Sequence, residues 1–323
     1  MIASSCRKLF AAGILIAFAC VPMEAVAAPL LSVTPPAADP AVNTLLLGED
    51  KSDRMTVPVT IGGRGPYSFI VDTGSERTVI SSELAEILDL DHGGVVKVHS
   101  LTGQGETPSV IIPSLRVSDI ETQSIRAPTL ARAHLGATGI LGLDSLRSRQ
   151  LLFDFRRGTI SFARGVDARD RNDPDVIVVR ARTKKGRMVL GDARINGRRV
   201  TVILDTGAQI SIGNEALRRQ LSTQPRTFHP VGKVDVFSVL GDRVNIDYAQ
   251  VRRMEIGPLN IGNMLIAFSD LPAFDKFDVS DRPALLLGMD VMRMFERVSI
   301  DFENRILRFI PLDEDRGFSV RLT

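Results

Sequence analysis

The sequence predicts an all-β, bilobed chain: two homologous β-barrel-like lobes with short helices and a cleft between them. Three observations predict it. A set of four sequence elements occurs twice in the same order. Short runs of Val, Ile, Thr and Phe are bounded by Gly, Pro, Asn and Asp at close intervals. Segments with a sustained helical period are few. The composition agrees, because 323 residues with 44% apolar and 24% charged side chains describe a globular chain longer than one comfortable core. Disordered, collagen-like and disulfide-stapled classes are thereby excluded. A net charge of +2 supplies no field for nucleic acid, and with no Trp and only two Tyr there is little to stack bases on. No nucleic-acid partner is therefore expected.

The first element is a targeting segment. Arg7 and Lys8 precede the apolar stretch Leu9 to Val21, and Ala25-Val26-Ala27 supplies small residues where a signal peptidase cuts. Residues 1–27 read as a secretory signal, too short for a stable membrane anchor. The mature chain then carries no transmembrane segment and belongs in the periplasm or outside the cell. Both cysteines, Cys6 and Cys20, lie inside the signal, so a mature chain has neither a disulfide nor a thiol nucleophile. His92, His99, His134 and His229 lack the spacing of metal sites, and neither metal nor cofactor is expected. Residues 28–49, rich in Pro and Ala, read as a spacer or pro-segment.

The lobes follow, at 50–165 and 176–323. Phe69-Ile70-Val71-Asp72-Thr73-Gly74-Ser75 recurs as Val202-Ile203-Leu204-Asp205-Thr206-Gly207-Ala208. Gly139-Ile140-Leu141-Gly142-Leu143-Asp144 recurs as Leu285-Leu286-Leu287-Gly288-Met289-Asp290. Each is followed by paired strand-like runs, 153–155 with 159–162 and 300–302 with 306–309. Residues 166–175, charged and ending near Pro174, form a linker. The basic excess between Arg147 and Arg199 reads as solvated linker and neighbouring strands. A Ser cap and apolar positions at Leu84, Ile87 and Leu88 predict a helix from Ser81 to Leu88, and Asn214 to Leu221 repeats it. A shorter helical turn is expected after each later Gly-x-Asp element.

A single Asp-Thr-Gly arises by chance in roughly one in fifteen chains of this length; two copies in matched contexts do not. The chemistry that uses such a pair is a carboxylate dyad. Two aspartates held about 3 Å apart share one proton, so that one takes a proton from water while the other polarises a carbonyl. Each Gly lets the main chain approach its carboxylate, each Thr hydroxyl can bond across to the opposite loop, and Gly142 and Gly288 leave room for close support from beneath. Asp144, Asp290, Asp154 and Asp301 also recur, and they read as turn, cap and strand-end contacts rather than a cation site.

These residues resemble the pepsin-like and retropepsin-like aspartic proteases, with the doubled motif and its two helices covering about residues 50–312. The resemblance implies a bilobed β fold with one catalytic Asp per lobe, Asp72 and Asp205, supported by Thr73, Gly74, Ser75, Thr206, Gly207, Ala208, Gly142 and Gly288. It also implies endopeptidase action on an extended protein or peptide substrate without metal or cofactor. Each lobe has retropepsin size, so the chain looks like a fused bacterial retropepsin pair, a monomer that is its own pseudo-dimer. Ser75 matches the pepsin pattern and Ala208 the retroviral one. In the family a Ser at this place bonds the neighbouring carboxylate, which implies inequivalent aspartates. Flap hairpins fit at Leu101-Thr102-Gly103-Gln104-Gly105 and Leu240-Gly241-Asp242, without the pepsin flap tyrosine. A second class, an idle periplasmic adaptor that binds extended peptides without cutting them, would use the same groove.

Overall fold

Two sheets of matching topology, and a third that takes strands from both halves, carry the chain. The computed structural model describes residues 42–46, 48–49, 55–100, 103–146, 150–163, 175–184, 186–312 and 320–322. The signal segment, most of the spacer, Leu101 and Thr102 of the expected flap, and nearly all of the linker lie outside them. Among the described residues no helix is long and apolar enough to cross a membrane.

Before the lobes come β1 (Val42–Leu46) and β2 (Gly48–Glu49). The first lobe continues with β3 (Met55–Ile61), β4 (Arg64–Val71), β5 (Val79–Ser81), β6 (His92–His99), β7 (Gln104–Val117), β8 (Ile120–Leu130) and β9 (Gly139–Leu141). They form an eight-stranded sheet in the order β2-β3-β4-β9-β5-β8-β7-β6. After β10 (Gln150–Asp154), β11 (Thr159–Ala163) and β12 (Ile177–Arg180) comes the second lobe. It contains β13 (Arg182–Lys184), β14 (Arg187–Ile195), β15 (Arg198–Leu204), β16 (Ile212–Gly213), β17 (Phe228–Phe237), β18 (Arg243–Ile256), β19 (Leu259–Phe268) and β20 (Ala284–Leu287). Its order, β13-β14-β15-β20-β16-β19-β18-β17, repeats the first lobe's arrangement. Beyond β21 (Phe295–Asp301) and β22 (Ile306–Pro311), β23 (Val320–Leu322) adds to β19.

Both lobes place a parallel strand pair at the centre. β4 runs parallel to β9, with Val71 opposite Leu141, and β15 runs parallel to β20, with Leu204 opposite Leu287. Parallel strands covered on both faces need near-continuous apolar runs. Phe69-Ile70-Val71 and Val202-Ile203-Leu204 are such runs and are fully buried. They end at the two Asp-Thr-Gly segments.

The third sheet is not visible in the repeat itself. Its order is β1-β11-β10-β21-β22-β12, with three strands from each half and an antiparallel seam between β10 and β21 from Gln150 opposite Asp301 to Asp154 opposite Arg297. Leu151, Phe153, Ile160 and Phe162 from one half are buried, as are Val298, Ile300, Leu307 and Phe309 from the other. Across the seam Gln150 Nε2 donates to Ser299 Oγ at 2.6 Å. The expected strand-like pairs thus do more than close each lobe.

The helices hold the shapes their caps specify. In α1 (Ser82–Leu88) the Ser81 hydroxyl accepts the Leu84 N–H at 3.1 Å. α2 (Arg132–Leu135) is followed by α3 (Leu143–Leu146), and in α4 (Glu215–Ser222) the Asn214 side chain accepts the Leu217 N–H at 2.9 Å. α5 (Pro272–Lys276) and α6 (Met289–Met292) complete the set, α3 and α6 being the short turns expected after each Gly. The four- and five-residue α2 and α5 are unforeseen, since neither is long enough to show a 3.6 period. Two short strands fall within residues 28–49. β1 pairs with β11 and β2 with β3, because an edge strand is selected by its partner's free backbone groups more than by its own pattern.

Because Phe153 is wholly buried beside the seam, Phe153→Ala is expected to lower stability by about 3–5 kcal/mol. Urea denaturation followed by circular dichroism should show that loss in one transition. Two separated transitions would contradict a sheet that couples the lobes.

Candidate active site

Asp72 and Asp205 are the first residues beyond β4 and β15. The Asp72 N–H donates to Leu141 O and the Asp205 N–H to Leu287 O, each at 3.0 Å, so the parallel partner strand sets where each aspartate leaves its sheet. Each chain then turns back around its own carboxylate. Asp72 Oδ1 accepts from the N–H groups of Gly74 at 2.6 Å and Ser75 at 3.0 Å. Asp205 Oδ1 accepts from those of Gly207 at 3.0 Å and Ala208 at 3.2 Å. Each loop's glycine lies against the carboxyl group of the opposite lobe, which brings the two carboxyl groups side by side.

Why each tripeptide ends in Gly is a matter of space. A Cβ on Gly74 would lie 2.3 Å from Asp205 Oδ1, and one on Gly207 would lie 2.3 Å from Asp72 Cγ. Any side chain there would push the opposite carboxyl away. The threonines between them interlock. Thr73 N–H donates to Thr206 Oγ1 at 2.9 Å, and Thr206 N–H donates to Thr73 Oγ1 at 3.1 Å. Each hydroxyl in turn donates to the carbonyl before the opposite aspartate, Thr73 to Leu204 at 3.3 Å and Thr206 to Val71 at 2.8 Å. Both threonines are buried, so these four bonds have little competition from water.

A second layer holds the loops from below. A Cβ on Gly142 would lie 2.3 Å from the Arg77 carbonyl carbon, and one on Gly288 would lie 2.8 Å from that of Ile210. The carboxylates just beyond face the same loops. Asp144 accepts from Thr78 N at 2.9 Å and Thr78 Oγ1 at 2.7 Å; Asp290 accepts from Ser211 N at 2.8 Å and Ser211 Oγ at 2.7 Å. Asp154 and Asp301 cap the turns after β10 and β21, accepting from Arg157 N at 2.8 Å and Asn304 N at 2.9 Å. Among the described residues no cluster of three or more His, Cys, Asp or Glu could hold a metal ion.

Burial is the main reason why the Asp72 carboxyl is pushed up to about 7, and the neighbouring Asp205 charge adds to it; Arg187 and the Gly74 N–H pull the other way. Asp290 is raised as well, chiefly by burial against the opposing pull of the Ser211 hydrogen bonds.

Ser75 departs from expectation. Its hydroxyl donates to Arg77 O at 2.7 Å, and only its backbone N–H reaches Asp72, as Ala208 does for Asp205. The local turn offers a nearer acceptor than the carboxylate. Of the flap candidates, Gly103 immediately precedes β7, where its carbonyl accepts the Ser100 N–H at 2.7 Å, and Gln104 and Gly105 are the first two residues of β7; Thr102 is outside the described residues. Leu240 and Gly241 lie at the β17–β18 turn. There Val239 and Leu240 reach the first lobe and pack on Ile70, Val79, Leu130, Leu135, Ala137 and Ile140. A Cβ on Gly105 would sit 3.3 Å from Leu240 Cδ1, so the two hairpins approach each other.

Two cross-lobe contacts had no motif to announce them. Lys276, at the end of α5, pairs with Glu76 at 2.8 Å, four residues past Asp72. Arg187, inside the basic stretch that reads as solvated, is 8% exposed and donates to Gly74 O. Its only sequence signal is that basic stretch, and a charge count does not separate a buried arginine from the exposed ones around it.

A family model described as aspartyl protease matches residues 57–145 and 191–291, one stretch in each lobe and together more than half of the chain. No curated protein matches the chain.

Thr206→Val removes the acceptor for the Thr73 N–H while keeping the side-chain shape, and should lower stability by about 1–3 kcal/mol. The denaturation midpoint measures it, and an unchanged midpoint would show that the interlock contributes nothing. The raised Asp72 carboxyl has its own consequence. Between the ordinary carboxylate range and about 7 the folded chain binds a proton that the unfolded chain has released, so stability falls as pH rises through that window. Asp72→Asn should therefore melt above the wild type at pH 8 and level with it near pH 4. A constant difference at all pH values would count against the raised carboxyl.

Proposed function

The chain belongs to the aspartyl protease family, and from that premise we propose that it is an exported endopeptidase that hydrolyses peptide bonds with water activated by Asp72 and Asp205. One observation carries the reading: two carboxyl groups set side by side across the lobes, each against the opposite loop's glycine and each cradled by two backbone N–H groups of its own loop. Like charges so close do not both ionise cheaply, so the pair retains one proton over a wide pH range. Asp72, pushed up to about 7, is the partner that carries it near neutral pH. The ionised carboxylate takes a proton from water as the oxygen attacks the peptide carbonyl, and the protonated one donates to the carbonyl oxygen. Proton return to the leaving amine then frees both products. No covalent intermediate is needed.

The surroundings support an extended peptide as substrate. The β6–β7 and β17–β18 hairpins approach over the same region, with Leu240 beside Gly105. The reading as a single-chain pseudo-dimer rests on one Asp-Thr-Gly per lobe and on the interlock between them. Export rests on the basic and apolar pattern of residues 7–27, and it places the enzyme in the periplasm or outside the cell.

The test is cleavage of a peptide library by the chain from Ala28 onward, between pH 3 and 8, beside Asp72→Asn and Asp205→Asn. Both variants are expected to lose at least about 10²–10⁴-fold, and wild-type activity should decline as pH rises through about 7, where Asp72 loses the shared proton. Loss in only one variant would refute a dyad within one chain. Tight binding of uncut peptides at every pH would favour the adaptor instead.

A further inference from the structure

Arg187 opens β14, the strand that pairs with the one delivering Asp205, yet its side chain serves the other lobe. Its Nη2 donates to the main-chain carbonyl of Gly74, the last residue of the first motif. The guanidinium carbon lies 5.1 Å from the centre of the Phe277 ring, just past α5, in cation–π geometry. The group is nine-tenths buried, and among the described residues its Nε has no hydrogen-bond partner. Among the described residues no carboxylate forms an ion pair with it.

A buried guanidinium is expensive to desolvate, and proteins ordinarily offset that with a hydrogen-bonded carboxylate. Here the charge is not neutralised by a partner of its own. The charged groups that act on Asp72 are Asp205, which raises its carboxyl, and Arg187, which lowers it. The guanidinium also holds the Gly74 carbonyl, two residues from Asp72, and the Gly74 N–H is in the Asp72 cradle. One side chain therefore touches both the geometry and the electrostatics of the first aspartate.

We propose that Arg187 is a positioning residue for the carboxyl pair: clamped between Gly74 and Phe277, it fixes the first motif loop from the opposite lobe and keeps a positive charge beside Asp72. Removing the charge leaves burial and Asp205 opposed only by the Gly74 N–H, so Asp72 holds its proton to higher pH. For cleavage, this rests on the reading of Asp72 and Asp205 as the catalytic pair, and the upper limb of the pH profile moves in the alkaline direction.

Two variants separate charge from contact. Arg187→Gln retains a donor for the Gly74 carbonyl without the charge; Arg187→Lys retains the charge. The Asp72 carboxyl carbon, assigned with Asp72→Asn, is followed by ¹³C NMR between pH 4 and 10 in the wild type and both variants, beside the pH profile of peptide cleavage. In Arg187→Gln the titration and the upper limb should move alkaline by about one pH unit, while Arg187→Lys stays near the wild type. A Gln variant that titrates with the wild type overturns the proposal, as does a Lys variant displaced as far as the Gln one. Failure of both variants to fold assigns Arg187 to the lobe junction alone and overturns it too. The NMR readout needs no activity. A shifted Asp72 titration in a chain that cleaves nothing would leave Arg187 in this role and refute the protease reading. Robust cleavage with an unmoved titration would do the reverse.

Discussion

Two carboxyl groups that repel when both are ionised are nevertheless held side by side, each against the glycine of the opposite loop, and the surrounding structure answers that constraint. Nothing in an isolated lobe could impose it. Position comes from the parallel strand pairs, which stop each chain at its aspartate. Contact comes from glycines that cannot be larger without displacing the opposite carboxyl. Permanence comes from the threonine interlock, where each hydroxyl accepts from one backbone group and donates to another across the lobes. Each aspartate is fixed by its own loop and each loop is fixed by the opposite one, so a displacement in either lobe is felt in both.

Such a junction asks the lobes to stay in register, and the shared sheet does this at the other end of the repeat. Its seam joins β10 to β21, the equivalent strands of the two halves, with β11 and β22 outside them and β1 and β12 at the edges. The symmetry of a dimer is thereby reproduced within one chain. Once covalently joined, the halves need not stay identical. Asp72 is bracketed by Ser75 and by the Glu76–Lys276 pair, with Arg187 reaching its loop from the second lobe, whereas Asp205 is followed by Ala208. A chain with two separately encoded half-sites can thus divide proton-holding and proton-taking unequally between its aspartates.

The repeat made much of this legible. Strand ends, both motifs, their supporting glycines, the caps Ser81 and Asn214, and the short turns at Leu143 and Met289 all carry local signals: apolar runs, a cap residue, a Gly where space is short. Other features were not legible, for reasons that can be named. α2 and α5 are shorter than two helical turns, β1 and β2 are chosen by their partners, and the Ser75 hydroxyl settles a competition between two acceptors that only coordinates decide. Arg187 was hidden because a charge count records an arginine without its burial.

By itself the sequence determined the all-β bilobed class, the place of each Asp-Thr-Gly at a strand end and the aspartyl protease family, since each is written in short-range pattern repeated at long range. Only the tertiary structure decided which side chains from opposite lobes meet. The joining of β10 to β21, the packing of Leu240 on the first lobe and the reach of Arg187 to Gly74 are contacts between residues far apart in the chain. No local period encodes such contacts. They follow from how two folded surfaces fit, and that fit sets the burial and the charge around Asp72.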